Sequence, residues 1–192
     1  MSGRPAVFLD RDGVLNEIVP NGLGVAESPL QPGDVRLIDG AAAGVRELAR
    51  AGYALACVSN QPAAAKGEVS VEQLRMVHRR VIELLAWEGA TLDASRLCLH
   101  HPDGVVAELT GSCACRKPAP GMLLDAALEL SVNLSSSWMV GDTDADVLAG
   151  RAAGCGTVLI EHPGSAHKRS RGTRPDLLAA NLADATSRLL AG

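Results

Sequence analysis

The chain has 192 residues, 47% of them hydrophobic and 21% charged, with a formal net charge of -4. That length supports one domain with a real core. The mild acidity argues against nucleic acid as a partner, and 2% aromatics leave no base-stacking platform. No apolar run approaches the roughly 18 residues of a membrane span. The first apolar run begins too close to the start for a signal peptide to precede it. A cytoplasmic protein with no membrane partner is therefore expected. In that compartment its five cysteines are metal ligands, catalysts or core filler rather than disulfides.

Ala6-Val7-Phe8-Leu9 reads as a strand buried on both faces, and it stops abruptly at Asp10-Arg11-Asp12-Gly13. Residues 17–38, rich in Gly, Pro and Asn, read as a long irregular loop over that strand end, a length that in a compact domain usually carries function. Asp39 is expected to cap a helix to about Arg50, closed by Gly52. Tyr53 to Val58 is a second buried strand with a polar exit, Ser59-Asn60-Gln61-Pro62. Ser70 and Gln73 predict a capping box for a helix with Val71, Leu74, Val77, Val81 and Leu84 inward, closed by Gly89. His78, beside that stripe, is read as structural or surface. A short strand at Arg96 to Leu99 leads into a loop to Pro120, and a helix follows with Met122, Leu123, Ala126, Ala127 and Leu130 inward. Trp138-Met139-Val140 is another buried strand, ending at Gly141-Asp142-Thr143-Asp144-Ala145-Asp146 before a helix to Ala153. Gly156 to Ile160 is the last predicted strand. Residues 161–175 are a polar, basic loop, and Asn181 caps a C-terminal helix to about Leu190. Strands alternating with helices predict a three-layer α/β/α sandwich around a parallel sheet, in a single domain spanning residues 1–192. A monomer is expected, since no leftover apolar stripe stands out.

Three predicted strand ends carry polar groups: Asp10 and Asp12, Ser59 and Asn60, Asp142 and Asp146. A fourth polar element, Arg116-Lys117-Pro118, opens a helix. In open α/β sheets ligands bind beyond the carboxyl ends of strands. Two acids one residue apart repel unless a proton or cation sits between them, and Mg²⁺ is the natural cation for clustered hard oxygens. Acids, a hydroxyl and a lysine around one crevice make a phosphate site, with no Walker loop or GxGxxG to suggest a nucleotide. The bland alternatives are a β-turn at Asp10–Gly13 and helix capping by Asp144 and Asp146.

These motifs, F-L-D-R-D-G-V-L-N, S-N-Q, C-R-K-P-x-P-G and V-G-D-x-x-x-D, resemble the four ordered motifs of the haloacid dehalogenase (HAD) superfamily over residues 6–150. Within it the chain is similar to the small, capless heptose-bisphosphate and histidinol-phosphate phosphatases. The resemblance implies a phosphomonoesterase acting on a small phosphorylated sugar. Asp10 is then the nucleophile, and Asp12 the general acid and later the base, its pKa raised by burial and by Asp10. Ser59 and Lys117 hold the phosphoryl group. Asn60, Gln61 and Arg116 face the substrate. Asp10, the backbone carbonyl of Asp12, and Asp142 bind Mg²⁺, while Asp146 orients the site. Ile18 to Asn21 and Pro62 to Ala65 depart from the family's usual composition in the segments that face the substrate.

Cys98-Leu99-His100-His101 and Cys113-Ala114-Cys115 offer three thiols and an imidazole, the donor set of a closed structural Zn²⁺ site; a disulfide or buried thiols are the alternatives. The phosphatases that the chain resembles share C-x-H and C-x-C ligands, which implies Cys98, His100, Cys113 and Cys115, with His101 the alternative imidazole, in a zinc loop over residues 98–115. Cys57 and Cys155 are read as core. Lys168, Arg169, Arg171 and Arg174 form a basic run read as a solvated face. The rival to an enzyme is a zinc-stabilised binding protein without turnover.

Overall fold

A computed structural model describes residues 3–20, 26–170 and 172–191. Among the described residues five α-helices and eight strands follow in chain order: β1 Ala6–Leu9, β2 Val19–Pro20, β3 Ala26–Glu27, α1 Ala41–Arg50, β4 Ala54–Asn60, α2 Val71–Trp87, β5 Ala94–Cys98, α3 Gly121–Leu130, β6 Trp138–Gly141, α4 Asp144–Ala153, β7 Gly156–Ile160, β8 Leu177–Ala179 and α5 Leu182–Ala191. Six strands form one sheet in the order β5-β4-β1-β6-β7-β8, and every pairing in it is parallel.

The chain winds outward from β1 through β4 to β5, then crosses back to β6 and winds the other way. The strand order therefore reverses beside β1, which is where an open α/β sheet leaves a crevice at its carboxyl edge. Both faces of β1 are dry. Val7 and Leu9 face a core built with α1, α2 and α5, whereas Ala6 and Phe8 face one built with α3 and α4. Burial on both sides is why β1 lacks the apolar-polar alternation of a half-exposed strand. Among the described residues no helix is long and apolar enough to cross a membrane.

Four local expectations need correction. The segment 17–38 is not wholly irregular: β2 and β3 pair antiparallel, and a short 3-10 turn covers Pro32–Asp34. Residues 21–25, Asn21 included, lie outside the described residues. Asp39 does not cap α1; Gly40 takes that position with φ 81 and no side-chain hydrogen bond. Ser70 does cap α2, accepting from the Gln73 N–H, but the box stays open because the Gln73 amide reaches Leu30 and Gln31 instead. The basic loop after β7 contains a 3-10 turn, Pro163–Lys168, and is followed by the unpredicted edge strand β8. Leu177-Leu178-Ala179 is too short a run to announce a strand by its pattern alone.

One buried hydroxyl ties the start of β1 to the approach to β6. Ser137 is 1% exposed; its Oγ accepts from the Ala6 N–H at 2.8 Å and donates to the Asn133 carbonyl at 2.6 Å. Ser137→Ala leaves both backbone groups without that partner, and a loss of about 1–3 kcal/mol is expected, read as a lower urea midpoint at unchanged slope.

Candidate active site

The carboxyl ends of β1, β4 and β6 and the loop before α3 meet at a cleft of about 420 Å³, bordered by Asp10, Asp12, Ser59, Lys117 and Asp142. These residues, spread over most of the chain, all border the one cleft.

Lys117 is the hinge of the arrangement. Its side chain is 1% exposed, with Nζ 3.0 Å from Asp10 Oδ1, 2.6 Å from Asp146 Oδ1 and 2.7 Å from the Val58 carbonyl. Burial alone lowers the affinity of the ammonium for its proton, but the Asp10 and Asp146 charges outweigh burial and raise the Lys117 pKa. Its backbone is clamped as well: Asn60 Nδ2 donates to the Lys117 carbonyl at 2.9 Å, and the Lys117 N–H donates to Asn60 Oδ1 at 3.0 Å. Asn60, expected to face the substrate, also borders the cleft, but it fastens the loop of Lys117 to the tip of β4.

Asp10, Asp142 and Asp146 each offer a carboxylate oxygen within 4.8 Å of the others. Burial, then Asp10 and Asp146, push Asp142 up to about 8, and its Oδ2 is buried without a hydrogen-bond partner. Burial pushes Asp10 up to about 6, against the pull of Lys117. The backbone makes room for this crowding. Gly13 has φ +81, and a Cβ there would lie 2.1 Å from Asp142 Oδ2; a Cβ at Gly141 would lie 2.2 Å from the Asp146 side chain. An unpartnered, buried carboxylate oxygen beside two more acids fits a hard divalent cation such as Mg²⁺.

The two readings of Asp146, site residue and helix cap, both hold. Oδ2 accepts from Thr143 N and Oγ1 at the start of α4, at 3.0 and 2.6 Å, while Oδ1 faces Lys117.

Asp12 overturns an expectation. Burial does push it upward, but the Arg11 charge and hydrogen bonds from Asn16, Ser28 and Gln61 together hold its pKa below the ordinary carboxylate value. Arg11, 0% exposed, donates to both Asp12 oxygens at 3.1 Å and to Gln61 Oε1 at 2.8 Å. Gln61 returns Nε2 to Asp12 Oδ2 at 2.6 Å and to Ser59 Oγ at 3.0 Å. Gln61 is thus buried under the site, where it orients Asp12 and Ser59. With Ser59 Oγ accepting from Gln61, its hydroxyl proton is free to point into the cleft.

Arg11 and Ser28 were missed by sequence reasoning. Side chains alternate along an extended chain, so Arg11 follows Leu9 into the core, where a guanidinium requires a partner. That signal was available. Nothing in the sequence around Ser28 sets it apart.

The sulfurs of Cys98, Cys113 and Cys115 lie 3.0–3.6 Å apart, with His100 Nδ1 at 3.9 Å from Cys98 and 3.6 Å from Cys115. All are unbonded thiols. A tetrahedral zinc with Zn–S near 2.3 Å gives S···S edges of about 3.8 Å, so the four groups stand close to where that ion would need them. His101 is outside the cluster, its Nδ1 accepting from the Asp103 N–H. The loop delivers Arg116 to the cleft, where its guanidinium donates to the His100 carbonyl at 3.1 Å. Cys57 and Cys155 are buried, as expected of core residues, and burial pushes both thiols up to about 12.

The basic run divides. Arg169 is no solvated residue: it donates to the carbonyls of Ile160 and His162 at 3.2 and 3.0 Å. Lys168 borders the cleft, Arg174 is exposed, and Arg171 lies outside the described residues. Ile18, Pro62 and Ala63, from the two segments of unusual composition, also border the cleft.

Removing the ammonium would leave Asp10 and Asp146 buried and unpaired. Lys117→Met is therefore expected to destabilise the protein by about 3–5 kcal/mol, measured by urea denaturation without added metal.

The HAD-hydrolase-like family model matches residues 114–185. The D-glycero-β-D-manno-heptose-1,7-bisphosphate 7-phosphatase of Yersinia pestis is 40% identical over 180 residues, 94% of this chain and 92% of that one. The D-glycero-D-manno-heptose-1,7-bisphosphate 7-phosphatase of Thermosynechococcus vestitus is 41% identical over 191 residues, covering 95% and 93%. Among solved structures, the D,D-heptose 1,7-bisphosphate phosphatase of B. bronchiseptica, complexed with magnesium and phosphate, superposes with a TM-score of 0.78 at 29% identity, over 97% of this chain and 98% of that one.

Proposed function

The chain belongs to the heptose-bisphosphate phosphatase family of HAD-like hydrolases and is a phosphatase, and from that premise we propose that it is a Mg²⁺-dependent phosphomonoesterase that removes the 7-phosphate of D-glycero-D-manno-heptose 1,7-bisphosphate through an aspartyl-phosphate. The observation that carries this reading is the cluster at Lys117: a buried ammonium shared by Asp10 and Asp146, with the unpartnered oxygen of Asp142 beside them. The similarity of relatives that bear the name of this activity over nearly the whole chain supports the substrate.

Asp10 is the nucleophile. Its Oδ1 is committed to the Arg11 N–H at 2.7 Å and to Lys117, which leaves Oδ2 to attack phosphorus. Lys117 and the Ser59 hydroxyl hold the oxygens of the transferring group, offsetting the charge that develops on them. The leaving sugar oxygen takes a proton from Asp12. Asp12 rests ionised under Arg11, so it takes up that proton on substrate binding, when the phosphoryl charge beside it opposes the guanidinium. Returned to its carboxylate form, Asp12 draws a proton from water. The water attacks the phosphorus, the bond to Asp10 breaks, and phosphate leaves. Asp10, Asp142 and the Asp12 carbonyl would hold Mg²⁺, which when bound neutralises phosphoryl charge. Zinc on Cys98, His100, Cys113 and Cys115 stiffens the loop that carries Arg116 and Lys117. Arg116 faces the substrate from that loop.

Purified protein assayed for phosphate release is expected to need Mg²⁺ and to favour the heptose bisphosphate over histidinol phosphate in kcat/KM. A preference for histidinol phosphate would overturn the substrate. Asp10→Asn should lower turnover by more than about 10³-fold with the folding transition intact; retained activity would remove Asp10 as nucleophile.

Metal analysis should find about one zinc per chain, lost in Cys113→Ala together with thermal stability. Unchanged zinc content in that variant would return the cluster to plain thiols.

A further inference from the structure

The 3-10 turn Pro163–Lys168 is fixed from below. Ser165, 0% exposed, bridges with Oγ to the carbonyls of Asp142 at 3.1 Å and His162 at 3.0 Å. Arg169 reaches the same two carbonyls, at 3.4 and 3.0 Å, and that of Ile160. The turn is thus registered against the residue that supplies the unpartnered acid of the site. Between these two anchors the chain presents Lys168 at the border of the cleft that holds Asp10.

Lys168 is exposed, and among the described residues no carboxylate lies within ion-pair distance of it. Of the other cations, Lys117 is committed to two acids, Arg11 to Asp12, and Arg116 in part to the His100 carbonyl; Lys66 borders the cleft exposed and, among the described residues, without an ion pair, but it shares its turn with Glu68 and no hydrogen bond ties that turn to Asp142. Glu27 and Glu68 also border the cleft; as acceptors they suit the hydroxyls of a sugar and repel a phosphate. A second phosphate that enters with a sugar whose first phosphate is on Asp10 needs a cation beyond the reacting centre, and of the two exposed lysines at the cleft Lys168 is the one whose turn is registered to Asp142.

Resting on the proposed sugar-bisphosphatase activity, we infer that Lys168 is a specificity-determining residue that receives the non-reacting phosphate of a bisphosphate substrate, its position set by Ser165 and Arg169. A lysine suits this role because its ammonium acts as a point charge on a flexible stem and accepts a phosphate from several directions.

The test is the ratio of kcat/KM for a sugar bisphosphate to that for the corresponding monophosphate, measured in wild type, Lys168→Ala and Lys168→Arg. The pairs are heptose 1,7-bisphosphate with heptose 7-phosphate, and fructose 1,6-bisphosphate with fructose 6-phosphate. Wild type should favour a bisphosphate. Lys168→Ala should lower that ratio about tenfold, as expected for one charged contact, mainly through KM, and Lys168→Arg should restore most of it. General structural damage would lower both rates together and leave the ratio unchanged. A wild-type preference that survives Lys168→Ala overturns the inference and leaves the substrate reading standing. A preference for the fructose pair that Lys168→Ala erases supports Lys168 and overturns heptose as substrate. If wild type favours no bisphosphate, both readings fall.

Discussion

The buried ammonium of Lys117 is the constraint on which the centre depends. Asp10, Asp142 and Asp146 stand together at the end of a parallel sheet, and the only cation among the side chains that touch Asp10 or Asp146 within the described residues is Lys117. Burying one carboxylate without a partner is costly, and burying three together adds mutual repulsion. One ammonium balances part of that charge, and the remainder appears as the raised pKa values of Asp142 and Asp10. Asp12 belongs to a separate circuit, balanced by Arg11 and by hydrogen bonds from Asn16, Ser28 and Gln61. The site therefore has one acid set that is electrically complete and another that is short of positive charge. A deficit of that kind attracts a divalent cation without attracting one to the Asp12 side chain.

The fold explains why acids so far apart in the chain can share that deficit. A reversal of strand order beside β1 puts the tips of β1, β4 and β6 side by side, and the loop before α3 closes the fourth side. Asn60 is the seam between them. Its amide pairs with both backbone groups of Lys117, so the position of the ammonium is inherited from β4 rather than from the loop that carries it. A long, flexible side chain at a loop end becomes a fixed point because its backbone is held by a strand.

Much of this was legible in the residues. The apolar runs at 6–9, 53–58 and 156–160 read as buried strands of a parallel sheet, and the polar groups that follow the first two stand at the edge where the cleft opens. The C-x-H and C-x-C motifs offered a metal-ligand set, and the family resemblance implied His100 rather than His101 in it; the structure brings Cys98, His100, Cys113 and Cys115 together. What was not legible follows from distance and direction. Asp12 was expected to have its pKa raised by burial and by the Asp10 charge; the structure points Arg11 at both of its oxygens, and that cation, with three further donors, outweighs burial. Asp39 is a better cap than Gly40 by composition, but the turn into α1 requires φ 81, which a glycine adopts freely and an aspartate only at a cost. The hairpin of β2 and β3 and the strand β8 are two or three residues long, and they exist because of what they pack beside rather than because of their own pattern.

Among the described residues no separate domain covers this edge; selectivity then rests on short elements, and their rigidity matters more than their number of contacts. Three walls of this cleft are anchored to residues that the proposed reaction uses rather than merely placed near them. Cys113 and Cys115 lead directly into Arg116 and Lys117. Gln61 holds Ser59 and Asp12 together from below. The same kind of anchoring recurs on the far side, where Ser165 and Arg169 grip the carbonyl of Asp142. On the proposed reaction, displacing one of these walls would move a reacting group with it, coupling substrate recognition to the geometry of phosphoryl transfer. The rim and the floor of the cleft are tied together by hydrogen bonds, from Ser165 and Arg169 to the Asp142 carbonyl and from Gln61 to Ser59 and Asp12.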